Sequence, residues 1–122
     1  VIELGAAWLP SFMRQLEAAF EAFERHEQRL KILELRPSDY VRRQVRVTPF
    51  PTEPTRWIIE NTGAEICMFS SDFPHVEGGR NPLRRFDNEV AALSDETQDR
   101  FFRANFEDLM GTAMSGLLGA SS

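Results

Sequence analysis

Asp72, His75 and Glu77 lie within six residues of one another in the stretch Cys67–Gly79, CMFSSDFPHVEGG. A carboxylate and an imidazole three residues apart can bind a divalent metal or pass protons. The same pair can also brace a turn. The apolar run from Ile66 to Phe69 leads into two serines and then into this polar loop, which is punctuated by Pro74, Gly78 and Gly79. Strand followed by polar loop is where α/β proteins carry chemistry.

Three segments read as strands: Val1–Leu4, Val45–Phe50 with Pro49 and Pro51 at its end, and Ile66–Ser71. Helical periodicity fills the spaces between them. Phe12, Leu16, Ala19, Phe20 and Phe23 form an apolar stripe on a helix expected from Ser11 to near Arg29, where His26 falls among charges as a solvated side chain. Ser38 caps a short helix to about Gln44. Thr52 and Pro54 open another, with Trp57, Ile58 and Ile59 as its buried side and Gly63 as its stop. Pro82 starts a helix with Leu83, Phe86 and Val90 inward, and Ser94 caps one carrying Phe101, Phe102 and Phe106, with Asn105 as a break. The fold expected is α/β: a short parallel sheet of about three strands with flanking helices over residues 1–111, then a flexible tail, 112–122. The chain opens directly on an apolar segment without Met, which reads as a start in the middle of a larger unit.

At 122 residues the chain has the length of one domain. Its net charge of −5 opposes nonspecific nucleic-acid binding, which requires clustered basic residues. Arg42, Arg43 and Arg46, and later Arg80, Arg84 and Arg85, are interleaved with acids and suit a single anionic substrate better than a duplex. For any one arginine, pairing with Asp39, Glu53 or Asp87 is the plainer expectation. Cys67 is the one cysteine, so an internal disulfide is excluded. Its strand position favours a buried structural thiol over a nucleophile, which would want a nearby His and an electropositive pocket. With no apolar stretch of membrane length and no signal-like start, a cytoplasmic protein is the default.

Several stretches resemble the C-terminal part of the amidohydrolase-related metal-dependent hydrolases, the group that includes aminocarboxymuconate-semialdehyde decarboxylase. They are Pro37-Ser38-Asp39-Tyr40 with Arg42-Arg43-Gln44, Thr48-Pro49-Phe50-Pro51, and above all Ser71-Asp72-Phe73-Pro74-His75 with Glu77-Gly78-Gly79. The resemblance implies the last three strands of a (β/α)₈ barrel. It also implies a divalent metal, zinc first, in the parent family, with Asp72 as ligand or proton-handling group and His75 beside it. The histidines that the family takes from its first and middle strands have no counterpart in these residues, so the implied site is incomplete. Arg80, Arg42 and Arg43 are the candidates to hold a substrate carboxylate.

A second reading belongs to a different class. A noncatalytic small α/β protein would cover its exposed sheet edges and Phe-rich faces by pairing as a homo-oligomer; in a fragment, the missing barrel half would cover them, and small-ligand binding at the same loop face is a third possibility.

Overall fold

The computed structural model describes residues 1–111. The expected tail, 112–122, lies outside the described residues. The chain folds as helices in the order α1 (Leu9–Phe23), α2 (Gln28–Lys31), α3 (Pro37–Gln44), α4 (Thr55–Thr62), a 3₁₀ turn (Val76–Gly78), α5 (Pro82–Val90), α6 (Asp95–Asp99), a π-turn (Arg100–Ala104) and α7 (Asn105–Met110).

The expected three-stranded parallel sheet is not present, and with it goes the expected piece of a barrel: the described residues contain no strand. What remains of the sheet is a single parallel bridge between Val47 and Cys67, made by Val47 N–H donating to Ile66 O at 3.0 Å and Met68 N–H donating to Val47 O at 2.8 Å. The backbone explains why it does not propagate. In a parallel ladder the next rung on one side requires the N–H of residue 49, which is Pro49 and has none. On the other side it requires the Val45 N–H, which is already donated to Val41 O at 2.9 Å to close α3. Phe69 donates to Phe101 O at 2.9 Å in the π-turn rather than to a neighbouring strand. Val1 lies beside the bridge, its amino group donating to Arg46 O at 2.5 Å and its carbonyl accepting from Thr48 N–H at 3.3 Å, but Val1–Leu4 does not form a strand.

The helices hold the core. Leu9 and Met13 from α1, Val41 from α3, Ile58 and Ile59 from α4, Phe86 and Val90 from α5 and Phe101 pack around Val47, Ile66 and Cys67. Phe69, Phe86, Phe101 and Phe102 form a group of edge-on and tilted ring contacts, 4.9–6.5 Å between centroids, the geometry aromatic quadrupoles favour. The stripe expected to bury α1 does something else. Leu9 and Met13 enter the core, whereas Phe12 and Phe23 remain 41% and 61% exposed and open onto a groove facing α2 and α3. Trp57, expected inward, is half exposed. Helix α1 also stops short of Arg29. Its last turn has no basic residue to meet the partial negative charge of the helix end, and Glu27 caps α2 instead, accepting from Arg29 N–H at 3.2 Å.

Two polar side chains fix the segment ends. Glu53 accepts from the backbone N–H groups of Ala6 (3.1 and 3.0 Å to its two oxygens), Ala7 (2.9 Å) and Phe50 (2.7 Å), so one carboxylate binds the entry of α1 to the loop after Val47. The fully buried Asn105 donates to Ala64 O at 2.7 Å and Cys67 O at 2.9 Å, satisfying carbonyls that a further strand would otherwise take.

Candidate functional site

The loop from Ser70 to Arg80 leaves the C-terminal side of the Val47–Cys67 bridge and is shaped by its own backbone. Ser70 Oγ accepts from Asp72 N–H and Ser71 Oγ from Phe73 N–H, each at 3.3 Å. Asp72 O accepts from His75 N–H at 2.7 Å, and Val76 O from Gly79 N–H at 3.0 Å. The Phe73–Pro74 peptide is cis, and Asp72 has φ +54°, a left-handed conformation that aspartate tolerates better than most residues. Gly78 is buried against the Ser71 carbonyl oxygen, so closely that a Cβ at this position would overlap that backbone atom. Glycine is the residue that lets the loop close.

Asp72 is thus placed by two serine-backed turns and a glycine contact. Its carboxylate forms no hydrogen bond or ion pair among the described residues. No group of three His, Cys, Asp or Glu side chains suited to a metal ion occurs among the described residues, consistent with the incomplete site that the resemblance implied. The residues present do not by themselves fit a metal. His75 and Glu77 are exposed, as are Phe73 and Val76, which at 85% and 86% are the most exposed large apolar side chains described.

The candidate arginines separate into two groups. Arg80 follows the loop directly, and with Arg84 and Arg85 it lines a cavity of about 610 Å³ that also includes Gly79 and Asn81. None of these three arginines has an ion pair among the described residues. Arg42 and Arg43 belong to α3, which enters the bridge from its N-terminal side, and the structure does not bring them to the Asp72 loop. Arg42 donates to Asp39 and to Thr62 O at 2.9 and 2.8 Å, and Arg43 rests over the Tyr40 ring at 5.0 Å. Arg46 is buried, donating to Arg42 O, Val45 O and Asp108.

Cys67 is buried in the core and its thiol is pushed up to about 12, first by burial and then by the charge of Glu53. A thiol held protonated is not a nucleophile at neutral pH. The residues that sequence reasoning undervalued are Glu53 and Asn105. Glu53 stood out only as a possible arginine partner, and Asn105 only as a helix break. An acid two residues after Pro51 and a lone amide within a Phe-rich helix were the available signals.

The amidohydrolase family model matches residues 3–111, and the chain belongs to that family. Among solved structures, an amidohydrolase from Mycobacterium avium subsp. paratuberculosis K-10 superimposes with a TM-score of 0.72 at 22% identity, over 90% of this chain and 27% of that one. The likeness is one of fold, and the chain spans about a quarter of that protein's length. No curated protein matches the chain.

Proposed function

We propose that the chain contributes one catalytic carboxylate, Asp72, to a metal-dependent amidohydrolase-type hydrolase or decarboxylase. The supporting observation is Asp72 itself, an unpaired carboxylate held at φ +54° in a loop built around it, within a chain of this family. The other metal donors would come from polypeptide beyond the described residues, since these do not fit a metal alone. Within such a site Asp72 accepts and returns a proton, His75 stands three residues away as a second proton carrier, and Arg80 offers a guanidinium to a substrate carboxylate.

The test is a comparison of Asp72→Asn with wild type in the complete protein, loaded with zinc and offered cyclic amides, lactones and unsaturated carboxylic acids. A loss in kcat of roughly 10³-fold with the fold intact is expected. Unchanged turnover would remove Asp72 from the chemistry. A second reading, small-ligand binding without catalysis, is favoured by an apolar groove carried on other elements, α1 to α3.

A further inference from the structure

The cavity beside the Asp72 loop, about 610 Å³ in volume, is walled by Gly79, Arg80, Asn81, Arg84, Arg85 and Asn88. Apart from Gly79, every residue in that wall is an arginine or an asparagine, and no carboxylate joins them. Asn81 spends its amide oxygen on the Arg84 N–H, at 3.1 Å, which leaves its NH₂ group as a donor. Arg85 folds back over the end of the loop: a Cβ on Gly79 would stand 3.6 Å from one of its terminal nitrogens and 3.7 Å from its guanidinium carbon. Asp87 and Glu89 share helix α5 with Arg84 and Arg85, yet neither lines the cavity, and neither pairs with the three arginines among the described residues. In a chain of net charge −5 this is a local inversion of sign, and a concave site lined by one sign of charge concentrates its potential on a counter-ion.

We infer that this cavity binds a polyanion, a ligand whose neighbouring carboxylates or phosphoryl oxygens engage Arg80, Arg84 and Arg85 together. A single carboxylate satisfies one guanidinium fork and leaves two unanswered; several anionic oxygens on one ligand answer all three. The planar forks of arginine match carboxylate and phosphate alike. The inference rests on the proposed function in placing Arg80 at the substrate, and it sharpens the substrate class there from a carboxylate to a polyanion.

Isothermal titration with citrate, inorganic pyrophosphate and acetate tests it, at about 20 mM salt, where exposed charges are weakly screened. Saturable one-to-one binding of citrate or pyrophosphate is expected, with acetate at least roughly tenfold weaker; the tighter of the two polyanions assigns carboxylates or phosphoryl oxygens as the recognised group. The double variant Arg84→Gln/Arg85→Gln should weaken that ligand roughly tenfold, the combined size of two exposed ion pairs. Arg25→Gln/Arg29→Gln, which removes the same charge near the start of α2, should leave it within about twofold, with circular dichroism confirming the helices of both variants. Asp72→Asn should still bind it, so the chemistry assigned to Asp72 and the binding assigned to the arginines are judged separately. Absence of saturable binding, acetate binding as tightly as both polyanions, or equal losses in the two arginine variants would overturn the inference and leave the Asp72 test standing.

Discussion

The Glu53 carboxylate occupies the space where a side chain on residue 5 would stand: an ideal Cβ on Gly5 would lie 2.5 Å from one Glu53 oxygen and 2.7 Å from the other. Gly5 also has φ +60°, so a side chain there is strained whatever the neighbour does. Gly5→Ala is expected to cost about 2 kcal/mol in urea unfolding, from the left-handed backbone and displacement of Glu53. Glu53→Ala should cost at least as much, because it strands the amides of Ala6, Ala7 and Phe50. A shift in midpoint below a few tenths of a kcal/mol for both would refute the role assigned to this contact.

Asn105 makes a comparable prediction in the core. Asn105→Leu removes both donors and leaves the carbonyls of Ala64 and Cys67 unpaired, at an expected cost of about 2–4 kcal/mol. Hydrogen exchange should show the loss concentrated near Met68 and Phe69. Uniform destabilisation without that pattern would mean the amide is not what anchors α7 to the bridge.

Gly78→Ala separates the loop from the core. The added methyl meets the Ser71 backbone oxygen, which cannot move aside as a flexible side chain would. Global stability should fall by about 1 kcal/mol or less if the loop deforms locally, while amide signals from Asp72 to Gly79 shift strongly in NMR spectra. Unperturbed loop signals would show that the tight approach is not required.

Cys67 should resist modification while the chain is folded. At pH 8 a thiol reagent is expected to label it only at the rate of unfolding, and readily in 6 M urea. The sign on the alkaline side follows from the raised value. Unfolded Cys67 loses its proton near 9 and folded Cys67 near 12, so stability falls as pH rises through that interval. Fast labelling of the folded protein would contradict the burial.

On the acid side, Glu17 is partly desolvated, which raises its value. Hydrogen bonds from Ser38 and Arg36 outweigh this, and the net direction is below its ordinary 4.5. A depressed carboxylate stabilises the fold above its unfolded value, and the contribution is lost as pH falls through the lowered one. Glu17→Gln should therefore flatten the acid limb of a melting-temperature profile below about pH 4.5 and reduce stability at neutral pH. An identical profile in the variant would discount the α1–α3 contact.

Much of the helical framework was legible in the sequence. Pro82 at a helix start, Ser94 as a cap and the Phe86/Val90 and Ile58/Ile59 faces appear in the structure where the sequence puts them, whereas Arg36 and Pro54, rather than Ser38 and Thr52, precede the first turns of α3 and α4. The strands were misread because Val45, Val47 and Ile66–Phe69 have the composition of strands but not the free amides. Period-two hydrophobicity does not reveal that Val45 N–H is spent on α3, although Pro49 already signalled the other limit. The Asp72 loop was legible as a polar turn with its acid and histidine. That the implied metal site is incomplete was legible too, from the missing histidines; the left-handed turn at Asp72 and the packing of Gly78 against Ser71 were not, because they depend on backbone geometry that residue types do not reveal.

The single rung between Val47 and Cys67 has a consequence for solubility. A lengthened strand at this position would present an open row of amides and carbonyls to other chains, next to side chains as exposed as Phe73 and Val76. Pro49 and Pro51 deny an incoming strand the donors it would need along this edge, and Asn105 occupies two of the remaining acceptors. The same residues that leave the sheet unfinished therefore guard against fibrillar stacking of one copy on the next.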